Sequence, residues 1–583
     1  MRNIAIARPN RRIISGYGQW EYLRPTIPYL AGTGVYFDPF RGISRGTYVN
    51  TAEPPWGDSI NVPAGATPGD TRATLQSMLT NFESSGTTNT KFMLPAGDEV
   101  IAGTVYIGTN LSNKYIGLYS QGIGSLPAVD AGDGINRPTK ANRVNASYAP
   151  YMTGWSTDVQ GCLQLQDSNK VYCRGMMFNN RYHVNMPGYG IVNCTWVVTL
   201  CSDVVFQQCG VDGYDDGVTY GKTSRAYILS GYRIAVVNSF ADHGGCTDFG
   251  HNDSQAVLIN FGNGPYKIAN NDLCWDGDVE NIMSGGSPSP SGSGLTYIPI
   301  GIEVTGNHLW RRGTHGQNKP WIESKFGYDW LVEGNICHEY FNPAQADGML
   351  FWATDQITGN NPYACTRRGI IMHNKCYNSP AGINISARNY DSVAVPYEPQ
   401  DFWITNNEAY DIGTPFQLQG SGLVCGGSRV GNIQWYHNTC AVNPLYANYP
   451  GPFRTNSYDP SRRVWGSNFC RNVLISKFFE PYANKDPYYT YGAPAGTGEE
   501  KFAAVFDDNS TFLDNLVHTD PSDAGYAHQI RAYNDPVLMG LTDYNARNFR
   551  LTPGSIGSKV FNGGTVDAGV DYNLLDTVLA GVR

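Results

Sequence analysis

One recurrence constrains this chain more than any other feature in it. A short run of alternating apolar residues ends in Asn, and a small or apolar residue follows two places later. The units read Ile268-Ala269-Asn270-Asn271, Val304-Thr305-Gly306-Asn307, Val332-Glu333-Gly334-Asn335 and Ile371-Met372-His373-Asn374. They continue as Ile404-Thr405-Asn406-Asn407, Trp435-Tyr436-His437-Asn438 and Cys470-Arg471-Asn472. Steps of 36, 28, 39, 33, 31 and 34 residues separate successive asparagines. An irregular period of that size suits a solenoid whose loops vary in length. Helical repeats can share the period but not the local pattern, which is a short β-branched and aromatic run broken by Asn or Gly, with no helical stripe. Asn tolerates the left-handed backbone of a sharp bend between strands, and its side chain can bond from coil to coil. The pattern reads as an all-β, right-handed parallel β-helix.

Composition agrees. The 583 residues include 67 Gly, 38 Tyr and 34 Pro, and only 16% are charged, a balance of strands and turns. A net charge of -9 offers no basic footprint for nucleic acid or an anionic membrane. No run approaches transmembrane length, so no membrane insertion is expected. The opening Met1-Arg2-Asn3-Ile4-Ala5 lacks the apolar core of a secretory signal, and Arg8, Arg11 and Arg12 interrupt the next stretch. A protein made in the cytosol, or a mature form, is expected. The 13 cysteines are odd in number, and no Cys or Cys/His set has zinc spacing. Cys337, Cys376 and Cys440 each fall two residues after a repeat Asn, where Leu273, Leu309, Ala409 and Leu474 stand in other units. They read as reduced thiols stacked inside the coil. No metal site is expected, although a divalent cation is compatible with chemistry on an acidic polymer.

In chain order, residues 1–65 are rich in Arg, Tyr, Pro and Gly, show no repeat, and read as an arm or attachment region. Residues 66–500 read as the β-helix with its capping helix. That helix is expected over Asp70 to Phe82, where Leu75, Met78, Leu79 and Phe82 follow helical spacing and Asp70 or Thr71 can cap the start. It would hide the first open coil. Residues 284–297 form a low-complexity loop. Residues 501–583 read as the last coils and a C-terminal cap.

A second strand column runs through Ser254–Ile259, Glu280–Ser284, Trp321–Lys325, Met349–Ala353, Gly382–Ser386 and Pro415–Gln419. With Ile282, Ile322, Leu350, Ile383 and Phe416 pointing inward, the steps are 40, 28, 33 and 33 residues. Alternation then turns Glu323, Lys325, Asn384, Ser386, Gln417 and Gln419 outward, as a polar strip facing solvent.

Several stretches carry a family likeness: Asp253-Ser254-Gln255-Ala256, Gly264 to Asn271, Glu280-Asn281-Ile282-Met283, Gly306-Asn307-His308-Leu309, Ile322-Glu323-Ser324-Lys325 and Leu331 to Asn335. With the tail around Phe549–Ser555 and Val570-Asp571, they resemble bacterial and phage right-handed β-helix-repeat proteins, related in fold to pectate lyases. The likeness covers roughly residues 160–575. It implies the fold, and it implies a polysaccharide lyase, a hydrolase or a phage tailspike, the last often a homotrimer. The first 65 residues match no part of that family, which favours a virion part over a free secreted enzyme.

Four features can carry chemistry on a polymer. Asp212, Asp215 and Asp216 form one acidic cluster, although Gly-flanked acids also build tight turns. Asp242, His243, Asp248, His251 and Asp253 form another, which can instead bond its own backbone. Glu323 and Lys325 share a strand face, with Glu280 one coil earlier, as a uronate-binding set or a plain surface ion pair. Trp310, Trp321, Trp330, Phe351, Trp352 and Trp403 can stack on sugars if exposed or fill the interior if not. The expected catalytic set is Glu323, Lys325, Glu280, Asp253 and Asp242, and the expected substrate-binding set is Gln255, Asn384, Gln417 and Trp321. The functional expectation is a virion spike or fibre that binds, and can cleave, a surface polysaccharide beside other virion proteins. The alternatives are a soluble extracellular lyase or hydrolase, and a non-catalytic decoration rod.

Overall fold

The computed structural model describes residues 36–38, 43–45, 49–121, 150–153, 162–179, 193–197, 201–213, 225–244, 254–262, 264–275, 280–285, 298–311, 320–339, 350–353, 364–386, 399–419, 430–443, 453–456, 463–475, 488–490, 506–513, 515–519, 530–533, 540–543, 546–555, 558 and 567–582. Asp215, Asp216, Asp248, His251, Asp253 and most of the 284–297 loop lie outside the described residues.

The chain is a parallel β-solenoid of the right-handed type. Its coils build three columns of strands. The first passes through Gln255–Phe261, Glu280–Ser284, Ile322–Ser324 and Phe351–Ala353. The second passes through Tyr266–Ala269, Ile300–Thr305, Gly327–Glu333, Thr366–Met372 and Gln400–Thr405. The third passes through Gly210–Asp212, Phe240–Gly244, Asp272–Trp275, His308–Trp310 and Ile336–His338. Two long strands, Lys375–Ser386 and Glu408–Gln419, begin in the third column and end in the first. All these pairings are parallel, with one register shift between Asp242 and Gly244, so residues a coil apart become neighbours.

The repeat asparagines occupy the corner between the second and third columns. Asn271, Asn307, Asn335, Asn374, Asn407, Asn438 and Asn472 each give a backbone N–H and a side-chain N–H to the Oδ1 of the next one, with distances of 2.9–3.2 Å. The ladder runs one rung further than expected, to Asn515, and starts at Ser239, whose N–H bonds to Asn271 Oδ1. Buried corners cannot reach water, so each amide supplies partners the backbone would otherwise lack. The left-handed residue is not the ladder Asn, as the sequence pattern suggested, but the one before it. Asn238, Asn270, Gly306, Gly334, His373, Asn406, His437 and Arg471 have φ between 50° and 64°. That position turns the chain, and the Asn behind it collects the bonds.

Inside the third column Leu273, Leu309, Cys337, Cys376, Ala409, Cys440 and Leu474 lie one above the other, as the sequence pattern placed them. All are buried, and the cysteines form no disulfide. Burial pushes the Cys337, Cys376 and Cys440 thiols up, which keeps them protonated.

Two further readings need correction. In the first column the inward partner of Ile383 is Phe351, not Leu350, while the Leu350 N–H bonds to the Gly382 carbonyl. Leu350 is also apolar and buried, so hydrophobicity alone could not choose the register. The helix α1 spans Pro68–Ser85, and its cap is Thr67, not Asp70 or Thr71. Thr67 Oγ1 accepts from the Asp70 N–H while Asp70 Oδ2 accepts from the Thr67 N–H, a reciprocal cap. Its Leu75, Leu79 and Phe82 face the core, and Met78 packs beside them.

The described C-terminal residues run back along the ladder corner. Gly569 bonds to the Arg471 carbonyl, Val570 to Thr439 Oγ1, and Asp571 to Asn406 Oδ1. Helix α2, Tyr572–Val578, begins with Tyr572 giving its O–H to Glu408. A Cβ at Gly334 would meet Val578 Cγ1 at 2.8 Å.

Candidate functional site

The expected polar strip on the first column takes the outward register, but its described side chains do not face solvent; those of Gln417 and Gln419 lie outside the described residues. Met283, Glu323, Trp352, Asn384 and Gln417 follow one another along an outward row. Glu323 is 3% exposed and Asn384 is 0% exposed. Ser386, Gln255 and Glu280 are buried with them, and Lys325 is half-buried just past its strand. Next to Glu323 in the same row stand Ile228, Leu258 and Met283, an apolar cluster in outward register, as on a packed face. Within it Gln255 joins Arg225 to Glu280 through its amide, at 2.8 and 2.9 Å. Trp321 lies inside the coil, as do Trp330 and Phe351.

The half-open face belongs to the third column. One outward row reads Asp212, Asp242, Cys274, Trp310 and His338, each the direct register partner of the last, and the stack continues through Tyr377 and Tyr410. The parallel row reads Asp272, His308, Ile336, Lys375 and Glu408. The two acidic clusters seen as separate in the sequence therefore meet. Asp212 and Asp242 sit side by side in register, 9% and 5% exposed.

Four rings form a ladder along this face. Trp310 and His338 are parallel within 12°, with centroids 6.4 Å apart. His338 on Tyr377 and Tyr377 on Tyr410 are parallel within 3°, at 4.9 and 5.0 Å. The faces are spent on one another, so sugar rings cannot stack on them. Of the ring edges, the Trp310 indole N–H and the facing imidazole nitrogens are bonded to Asp272 and to one another, and the phenols of Tyr377 and Tyr410 continue the row, one ring per coil.

A hydrogen-bonded line crosses the two rows. Asp272 Oδ1 accepts from His308 Nδ1 and from Trp310 Nε1, both at 2.9 Å. An ionised carboxylate can only accept, so the His308 Nδ1 carries hydrogen. His308 Nε2 then faces His338 Nε2 at 2.7 Å, with one proton between them. Burial, and then His308, lower the His338 pKa to about 4, while Asp272 pulls it the other way. Glu339, 37% exposed at its side chain, faces His338 Nδ1 at 3.5 Å. Lys375 pairs with Glu408 at 3.0 Å and sits over the Tyr410 ring. The strip ends where Phe549 packs on Tyr410 and Arg547 bonds Asp411 through two nitrogens at 2.7 and 2.8 Å.

On the second column Glu303, Glu333 and His373 are buried, and burial raises the Glu303 pKa well above the usual carboxylate range. His373 bonds Glu333 at 3.1 Å. Among the described residues, no group of three or more His, Cys, Asp or Glu side chains has metal-holding geometry, and no helix is long and apolar enough to cross a membrane.

Sequence reading singled out Asp212, Asp242 and Trp310 but missed Asp272, His308, His338, Tyr377 and Tyr410. A signal was present: His308 stands one residue and His338 three residues after a ladder Asn, so each falls on an outward position.

Fold and strip together define a parallel β-solenoid with a half-buried imidazole and aromatic line along one column. No family model and no curated protein matches the sequence. Solved structures of similar fold include a PL6 alginate lyase in complex with a trisaccharide, at 12% identity and TM-score 0.45, covering 88% of this chain and 95% of that one. A mannuronic acid specific polysaccharide family 6 lyase from human gut microbiota is similar at 12% identity and TM-score 0.43, covering 85% and 91%. PfbA, a surface adhesin of Streptococcus pneumoniae, is similar at 11% identity and TM-score 0.40, covering 70% and 90%. At this distance none of their activities transfers to this chain.

Proposed function

We propose that the chain binds a polysaccharide along the outward face of the third column. One observation carries the reading: polar-edged rings recur once per coil in a half-buried row from Trp310 to Tyr410. A rigid sheet holds such groups about 4.8 Å apart. A linear polymer laid along the axis meets the same kind of donor and acceptor repeatedly, without ordering a flexible surface first. In this reading the protein serves as a spike or fibre, as a homotrimer beside other virion proteins, with residues 1–65 as its attachment region. The test of binding is retention on immobilised surface glycans of the wild type and of the Tyr377→Phe/Tyr410→Phe double variant, which keeps the rings and removes two hydroxyls. Loss of two hydrogen bonds should weaken binding by about tenfold or more. Immunolabelling of purified phage particles tests the virion role, and sedimentation tests the trimer.

A second reading is favoured by the register pairing of Asp212 with Asp242. Side chains opposed on adjacent strands lie about 5 Å apart, close to the separation of roughly 5–5.5 Å between the two carboxyls of a retaining glycosidase. In that reading one acid protonates the leaving oxygen while the other attacks, and Asp242→Asn stops release of fragments while binding persists. Binding with no fragments from the wild type would leave a non-catalytic rod.

A further inference from the structure

We infer that the outward face of the second column, from Lys267 to Trp403, is a docking surface, and that its occupant is this chain's own segment 36–48, which precedes Val49. The inference is independent of the glycan-binding role.

The face is one outward row. Lys267, Glu303, Leu331, Ile370 and Trp403 are successive register partners. Their strand neighbours Val304, Trp330 and Phe402 lie in the core, so alternation turns the row away from it. Yet Glu303 and Leu331 are fully buried, and Ile370 and Trp403 nearly so. An outward row with three large apolar side chains is buried only under a cover. Helix α2 bounds this face at the corner, where a Cβ at Gly334 would meet Val578.

In the coils before, the same row shows what covers it. Tyr172, Val205, Ala235 and Lys267 are register partners in one line. Val49 joins Tyr172, Val205 and Ala235 in an apolar cluster, with Trp56 packed against it. Trp56 meets Tyr115, Tyr119 and Tyr172 edge-on, at centroid distances of 5.5–6.4 Å. Tyr172 gives its O–H to the Thr51 carbonyl at 3.2 Å, and Arg174 pairs with Glu53 at 2.6 Å. This stretch has a direction. Asp58–Asn61 pairs with Thr90–Leu94, while Thr51 reaches Tyr172, two coils further on. Followed back from Asn61 to Val49, the chain moves along the outer face toward Lys267.

Continued the same way, the preceding residues fall on Glu303, Leu331, Ile370 and Trp403. Five coils from Ala235 to Trp403 measure about 24 Å, which about seven extended residues would span. Segment 36–48 is longer than that, and within it Tyr36–Asp38 and Ile43–Arg45 pair antiparallel as a hairpin. It supplies Tyr36, Phe37, Phe40 and Ile43 for an apolar face, and Arg41 and Arg45 as cations. The face has a match for cations. Lys267 and His373 engage the Oε1 atoms of Glu303 and Glu333, whereas both Oε2 atoms are buried and accept no hydrogen bond among the described residues. A guanidinium brought over them would complete both carboxylates. Docked there, segment 36–48 makes residues 1–35 leave from the flank of the solenoid rather than from its capped end.

The test uses the full chain with a benzophenone amino acid in place of Phe37 or of Ile43. Ordinary and heavy-nitrogen chains are mixed, irradiated and digested, and the joined peptides are identified by mass. Links should form within one chain, from both positions, to peptides holding Leu331, Ile370 or Trp403. Links between an ordinary and a heavy chain on that face would give it to a second copy and overturn the inference. Links to other parts of the chain, or none, would overturn it as well. A second measurement is tryptic cleavage after Arg45, which Ile370→Asp should speed by about tenfold or more by making the face polar. An unchanged rate in a folded Ile370→Asp chain would contradict the docking, and where that variant does not fold the light-driven links, made on the unaltered face, decide alone.

Discussion

Asn335 Oδ1 accepts two hydrogen bonds from Asn307, one from its backbone N–H at 2.9 Å and one from its Nδ2 at 3.0 Å, across a gap of 28 residues in sequence. Asn335 Nδ2 in turn bonds the Val304 carbonyl at 2.9 Å and Asn374 Oδ1 at 2.9 Å. One side chain thus ties three coils. Asn335→Ala strands several buried groups at about 1–3 kcal/mol each, and partial relaxation should leave a net loss of about 3 kcal/mol. Asn335→Ser should lose less, because Ser239 fills the same position at the ladder's start and accepts from Cys209 N–H at 3.0 Å. Urea unfolding midpoints of the full chain should rank wild type, Ser, then Ala. Equal midpoints for all three would show that the ladder adds nothing to stability.

Gly306 and Gly334 occupy the same left-handed corner one coil apart, with φ of 61° and 64°. They differ in surroundings. A Cβ at Gly306 would meet nothing nearer than 4.0 Å, while one at Gly334 would meet Val578 of α2 at 2.8 Å. Gly306→Ala should therefore cost only the backbone term of about 1–2 kcal/mol. Gly334→Ala should cost that and also loosen α2, seen as faster hydrogen exchange at residues 572–578. Identical exchange in both variants would contradict the docking of α2 on that corner.

His338 should make stability depend on pH. Its pKa falls from an ordinary value near 6.5 to about 4 in the folded chain, chiefly through burial and then through His308. The groups facing it are His308 from the coil before, Glu339 just past its own strand, and Tyr377 from the coil after, with Asp272 behind His308. The unfolded chain binds a proton below about 6.5 and the folded one does not. The contribution is thus fully present above that pH and is lost as pH falls toward 4, by at most about 3 kcal/mol. Thermal unfolding of wild type and His338→Gln between pH 7 and 4 should show a steeper decline in the wild type.

Much of this architecture was legible in the residues. The Asn recurrence marked the corner, and the Cys337, Cys376 and Cys440 positions marked the inward line of the third column, because both depend on spacing that every coil repeats. Three things were not legible. The Leu350 to Phe351 choice turns on one residue between equally apolar neighbours, and a slip of one flips a strand without changing its hydrophobicity. The burial of Glu323 and Asn384 depends on what lies over the outward row, and strand alternation describes only the sheet itself. The imidazole strip was missed for a different reason. Its members come from separate coils, and a lone His after each Asn looks unremarkable until the coils are stacked.

Tyr572 ties α2 to the strip through Glu408, with its O–H 2.9 Å from Oε1. Glu408 is 2% exposed, so it has little water to turn to. Tyr572→Phe should cost about 1–3 kcal/mol, the range for losing a hydrogen bond to a charged, buried group. It should also increase protease cleavage within 567–582. A variant as resistant and as stable as wild type would show that this bond contributes nothing to docking.

Binding of a retained glycan by two variants decides between the faces of the solenoid. Tyr377→Phe/Tyr410→Phe alters the half-open third column, and Glu323→Gln alters the buried first column without changing its shape. With affinities measured by titration on folded proteins, the account predicts a loss of about tenfold or more for the tyrosine pair and wild-type affinity for Glu323→Gln. Wild-type affinity in the tyrosine pair, with loss in Glu323→Gln, would contradict it.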